Sequence, residues 1–141
     1  TYVGSKRMEF YYPTGNTGNV HQTFSLDTKI SQNSFSFGGE WNIADENALT
    51  GNNAVLSYNF YADKVFLVLR PGSNKVASVK VLLDGKEVDA TNQGLDVKNG
   101  SITIDSDRLY NLIDLHSNPG QHVLELQFQN SGIQVFAFTF G

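Results

Sequence analysis

Two dipeptides, Asp84-Gly85 and Asn99-Gly100, each join short runs of apolar and β-branched residues, and they constrain the fold more than any other feature of the chain. The second residue of such a pair takes positive φ without a Cβ clash, as a two-residue type I′ hairpin turn requires. Val76 to Leu83 leads into the first turn and Lys86 to Val88 leaves it. Leu95-Asp96-Val97 and Ile102-Thr103-Ile104 flank the second. Two such turns in close succession predict an antiparallel meander.

The other apolar segments are also short, rich in β-formers and separated by Gly, Asn and Asp clusters, the pattern of an all-β sandwich. Leu56, Tyr58 and Phe60 alternate with Val55, Ser57 and Asn59, which predicts a half-buried strand. Val65-Phe66-Leu67-Val68-Leu69 is unbroken and bounded by Asp63-Lys64 and Pro71-Gly72, as expected of a central strand covered on both faces. Near the end His122, Leu124, Leu126 and Phe128 alternate with Val123, Glu125 and Gln127. Ile133, Val135 and Ala137 then alternate with Phe136, Phe138 and Phe140. One stretch departs from this rhythm: Leu109, Leu112 and Ile113 recur at helical spacing after Ser106 and Asp107, both competent N-caps, and Asn118-Pro119-Gly120 follows. This predicts one short helix near residues 107–115.

At 141 residues with 40% hydrophobic and 17% charged content, one folded domain over 1–141 is expected. A net charge of -4, with ten scattered basic residues, argues against nucleic acid as a partner. With no cysteine, neither a disulfide, a thiolate zinc site nor a Cys-x-x-Cys redox centre is available. No apolar run approaches the ~20 residues needed to span a bilayer, so no membrane insertion by this chain is expected. Met8 is the only methionine, and an upstream portion is expected before Thr1.

Catalytic patterns are missing. His21, His116 and His122 are far apart, no Gly-x-Ser-x-Gly elbow occurs, and nothing singles out a carboxylate pair such as Asp45-Glu46. No cofactor and no metal is expected. Asp105-Ser106-Asp107 offers oxygen ligands for calcium but lacks the glycine and terminal glutamate of an EF-hand loop, so helix capping is the preferred role. Asn99-Gly100-Ser101 matches a glycosylation sequon inside a hairpin turn, which weakens that reading.

The aromatic residues, ten Phe, six Tyr and Trp41, are the feature most open to a functional reading. An exposed ring can stack on a sugar while neighbouring Asn, Asp and Gln bond its hydroxyls. Trp41, Tyr11, Tyr12 and Tyr61 are the candidate ligand-binding residues, although core packing is preferred for Trp41. Glu46, Arg108 and Tyr110 are structural candidates, with an Arg108–Glu46 ion pair proposed to lock the helix to the sandwich and plain solvent exposure of each as the alternative.

The order of motifs resembles the C-terminal domain of bacterial DipZ-type thiol-disulfide oxidoreductases. Thr1-Tyr2-Val3-Gly4, Gly39-x-Trp41 with Glu46, and Ala62-x-x-Val65-x-Leu67-Val68-Leu69 carry the likeness. Leu83-Asp84-Gly85, Gly94-x-Asp96-Val97, Arg108-Leu109-Tyr110, His122-x-Leu124 and Phe136-Ala137-Phe138-Thr139-Phe140-Gly141 follow in order. The resemblance implies an antiparallel jelly-roll sandwich akin to carbohydrate-binding modules. It also implies an upstream thioredoxin-like domain carrying the Cys-x-x-Cys centre, an extracytoplasmic location and a membrane-anchored parent. A non-catalytic accessory role follows, with a glycan or a protein substrate as the further partner and a carbohydrate-binding module for cell-envelope glycans as the alternative.

Overall fold

A computed structural model describes residues 1–73 and 76–141. Among them a 3-10 turn, Ser5–Arg7, precedes twelve strands. They are β1 (Val20–Phe24), β2 (Ser34–Ile43), β3 (Ala48–Thr50), β4 (Val55–Ala62), β5 (Lys64–Arg70) and β6 (Ala77–Leu83). Then come β7 (Lys86–Glu87), β8 (Val97–Lys98), β9 (Ser101–Ile104), β10 (Arg108–Asp114), β11 (Gly120–Phe128) and β12 (Gln134–Phe140). All named strand pairs are antiparallel, and they form two packed sheets. Sheet I runs β10-β5-β12-β3-β2-β1, and sheet II runs β2-β4-β11-β6-β9-β8 with β7 beside β6.

One strand belongs to both sheets. Ser34 to Gly38 pairs with β4 in sheet II, while Gly39 to Ile43 pairs with β1 in sheet I. The change happens at Gly39, whose φ is +74. A Cβ there would lie 2.0 Å from the carbonyl oxygen of Asn53, so the corner excludes every other residue.

Both dipeptide turns form as the sequence predicts: Asp84 and Gly85 have φ of 53 and 82, and Asn99 and Gly100 have 53 and 75. Leu56, Tyr58 and Phe60 all point into the core between the sheets. The predicted helix does not exist, because residues 108–114 are strand β10. Between Asn111 and Ile113 the register shifts by a β-bulge, which lets the adjacent Leu112 and Ile113 both face inward. Tyr110 also faces inward. The bulge therefore breaks the period of two, so that Leu112 and Ile113 share the inner side while Leu109 faces outward, and the three match helical spacing without sharing a face. A second bulge, between Val135 and Ala137 in β12, puts Val135 and Phe138 inside and breaks the alternation read there.

The unbroken run of β5 is central, flanked by β10 and β12. It is not covered on both faces: Val65, Leu67 and Leu69 are buried, whereas Phe66 and Val68 face outward and are only half-buried.

Candidate functional site

Sequence reasoning offered Trp41 as a ligand platform but preferred core packing for it, and the fold places it in the core. Trp41 is 0% exposed. Its ring packs against Phe37 and Phe128 with centroids at 4.9 and 5.4 Å, and its indole N–H donates to the carbonyls of Gly38 and Val55 at 2.9 and 3.2 Å. Both its apolar body and its polar tip are consumed inside the sandwich. Tyr11 is half-buried in a cluster with Phe24, Phe35 and Phe37. Burial, helped by the charge of Asp27, raises its phenol above the ordinary tyrosine value. Tyr12 is half-buried beside it, with its N–H donating to Phe35 O at 2.8 Å. Tyr61 alone of the four is well exposed, at 56%.

The expected Arg108–Glu46 pair does not form. Arg108 meets Asp96 at 3.0 Å and stacks 3.9 Å above the Tyr110 ring, while Glu46 meets Arg7 at 3.3 Å. With no helix to lock, Arg108 instead ties the loop before β8 to the edge of β10. Asp96 takes part twice, accepting from Arg108 and from the Asn111 N–H at 2.7 Å. Partial burial pushes its carboxyl upward, but those two bonds and the guanidinium charge outweigh it and hold the group below its ordinary value. Tyr110 is fully buried, and its hydroxyl donates to Ser106 O at 2.7 Å while accepting the N–H groups of Asp105 and Ser106. Asp105-Ser106-Asp107 thus forms a strand-to-strand turn organised by a tyrosine, where a helix cap was expected.

The outer face of sheet II brings together a set of polar groups that aromatic content does not signal. Cross-strand pairing sets Tyr61 beside Gln121, Asn59 beside Val123 and Ser57 beside Glu125. The segment Leu26 to Ile30 folds over part of this face. There the Asp27 N–H reaches Ser36 Oγ at 3.4 Å, and Asn59 Nδ2 donates to Ile30 O at 2.8 Å. Between that segment and the Gly85 turn lies a groove of about 270 Å³ with Ser57, Asn59, Val123 and Glu125 among its lining residues and Lys29 on its wall. Gln121 donates to Asn59 Oδ1 next to it. The signal for these residues was the polar half of the β4 alternation, Ser57 and Asn59, which marks an outward face without saying what β11 places opposite.

A second groove, about 310 Å³, lies against the first hairpin turn, where His122 Nδ1 sits 2.6 Å from Asp84 Oδ2. Lys86, Glu87, Asp89 and Asn92 line it, but no hydroxyl or thiol does. Among the described residues lining this groove, none offers the imidazole-carboxylate pair a hydroxyl or thiol nucleophile. Among the described residues no group of three or more His, Cys, Asp or Glu is placed to hold a metal ion.

A family model described as "Thioredoxin like C-terminal domain" matches residues 1–141. No curated protein matches the sequence. Among solved structures, the chain is similar to a family two carbohydrate esterase from Clostridium thermocellum in complex with cellohexaose, at 15% identity and a TM-score of 0.60. An active site mutant of such an esterase from the same organism matches equally, at 15% identity and 0.60. The match covers 77% of this chain and only 31% of the esterase. At that identity the likeness establishes the fold alone, an antiparallel β-sandwich.

Proposed function

This chain belongs to the thioredoxin like C-terminal domain family, and from that premise we propose that it is the accessory domain of a DipZ-type thiol-disulfide oxidoreductase. The observation that carries the reading is the pairing of a whole-chain family match with a complete lack of cysteine. Thiol-disulfide exchange proceeds by thiolate attack on a disulfide, so a chain with no thiol serves such a reaction only by placing the enzyme or its substrate. An extracytoplasmic location, beside a membrane-anchored parent, is part of the same proposal. The test compares the longer protein with a version truncated before Thr1, assayed on a small disulfide and on a folded protein disulfide. Retained turnover of the small disulfide with a fall on the protein substrate supports the reading, and equal activity of both versions on both substrates overturns it.

The second reading is glycan binding on the outer face of sheet II, favoured by Asn59 and Gln121 beside exposed Tyr61, with Glu125 farther along β11. Amide and carboxylate groups bond hydroxyls, and a free ring can take the C–H face of a sugar. Titration with cello-oligosaccharides and peptidoglycan fragments, following the Tyr61 ring and the Asn59 and Gln121 side-chain amides by NMR, decides it. Saturable shifts lost in Tyr61→Ala support the site, whereas no shift across the panel removes it.

A further inference from the structure

We propose that the outer face of sheet I is the docking surface for the thioredoxin-like domain preceding this one; the proposal rests on the accessory-domain reading and adds where the two domains meet. Its starting point is the composition of β5. Val65-Phe66-Leu67-Val68-Leu69 is apolar on both sides of the strand, a pattern found where both faces of a sheet are covered. The sandwich covers only one of them. Phe66 and Val68 emerge on the other, Phe66 between Asn111 and Thr139 and Val68 within an apolar row assembled by the pairing register.

Leu109 lies opposite Val68, Val68 opposite Ala137, and Ala137 opposite Tyr2, forming one apolar row across β10, β5, β12 and the N-terminal segment. Leu109 is 44% exposed and Tyr2 41%. The β12 bulge adds Phe136, whose ring lies on this side under Arg70, with the guanidinium carbon 5.1 Å from its centroid. At the opposite margin Arg7 stacks 3.8 Å above Tyr2. Both arginines are oriented by carboxylates, Arg70 by Asp107 at 2.8 Å and Arg7 by Glu46 at 3.3 Å. An apolar centre bordered by arginine and aromatic side chains is the composition of a recognition surface. Neighbouring strands about 4.8 Å apart make the row roughly 14 Å wide, enough to seat one helix of an α/β partner.

The occupant is identified by how the chain arrives. The Thr1 amino group donates to Phe138 O at 2.8 Å, the Phe138 N–H donates to Thr1 O at 2.8 Å, and the Val3 N–H donates to Phe136 O at 3.0 Å. Residues 1–3 are thus an extension of sheet I, and any polypeptide joined ahead of Thr1 enters along β12 at the margin of the apolar row. A domain tethered there is held at high effective concentration against this face, an advantage a free second copy lacks. The sheet II groove, on the opposite side of the sandwich, stays open.

Hydroxyl-radical footprinting of the longer protein against this chain alone tests the assignment. Oxidation of Phe66, Leu109 and Phe136 is expected to fall about threefold or more in the longer protein, as for side chains in an interface core, with Tyr61 unchanged as the internal control. Val68→Lys combined with Leu109→Glu should restore oxidation of Phe66 and Phe136 and let the two domains tumble independently in NMR relaxation. The melting of the same variant in this chain alone shows whether the sandwich is intact, and Val68→Lys by itself provides the milder probe. Equal oxidation in both forms, with a thioredoxin-like domain present, overturns the docking face and leaves the accessory reading standing. Protection that appears in this chain alone and rises with concentration assigns the face to a second copy and overturns the proposal. A longer protein with no thioredoxin-like domain before Thr1 overturns both.

Discussion

The two outer faces of the sandwich are built from the same kind of strand yet present opposite chemistry. On sheet I the outward side chains of β5, β10 and β12 include Phe66, Val68, Leu109, Phe136 and Ala137, with Asn111 and Thr139 on either side of Phe66. On sheet II the outward side chains of β4 and β11 include Ser57, Asn59, Gln121 and Glu125, and the Leu26 to Ile30 segment lies over part of them. An apolar face without a cover is costly in water, whereas a polar face with its bonds made locally is at ease there. One side of this domain makes its polar bonds locally and the other leaves apolar side chains facing water, which is why we propose that the second docks a partner. Because β2 feeds both sheets, the two faces are also mechanically one object, and disturbing the corner disturbs both.

That unity is the easiest part of the comparison to break. Gly39→Ala forces a side chain into the Asn53 carbonyl at a positive φ, and a loss of about 3–5 kcal/mol is expected in chemical denaturation, with both sheets affected together. A tolerated substitution would mean that the corner bends without a glycine and that the sheets are less coupled than described. Tyr110→Phe comes next. It removes one hydroxyl and strands the Asp105 and Ser106 N–H groups and the Ser106 carbonyl near the sheet I edge, at a cost of about 2 kcal/mol.

Asp96→Asn sharpens the comparison through pH. The folded-state pKa of Asp96 is depressed, so its contribution is present above the ordinary value of 3.8 and is lost as pH falls through the folded value. Because the pair is partly solvated, the difference between wild type and variant should be on the order of 1 kcal/mol at neutral pH. It should shrink towards zero below about pH 4. A difference that persists undiminished in acid would show that the side chain acts by shape alone. The smallest effects belong to the faces themselves. Val68→Lys and Tyr61→Ala in this chain should each change stability by no more than about 0.5 kcal/mol. A large loss from either would show that the side chain supports the core.

Much of this was readable in advance, wherever the cause was local. Turn chemistry announced the Asp84-Gly85 and Asn99-Gly100 hairpins because positive φ at those residues is an intrinsic preference. The alternation from Val55 to Phe60 announced that Leu56, Tyr58 and Phe60 face the core, although Ser57 on the other side is buried as well. The absence of cysteine excluded thiol-disulfide chemistry by this chain whatever its fold. None of these depends on a distant part of the molecule.

Where reading failed, the deciding contact lay far along the chain. Leu109, Leu112 and Ile113 suggested a helix because a β-bulge is defined against the partner strand β5, which the local sequence does not contain. Chemistry alone offers Glu46 as a partner for Arg108, with solvent exposure of each as the alternative, whereas the folded loop delivers Asp96. The Trp41 ring and its N–H were both consumed by the core, and Tyr61 kept its exposure only through its place at the outer end of β4. The uncovered side of β5 was likewise invisible. Residue type and period are properties of the chain, so the sequence by itself determined an antiparallel β domain without thiol chemistry. Register, bulges and the cover over each face arise from pairing between distant segments, so only the tertiary structure decided which surfaces this domain offers.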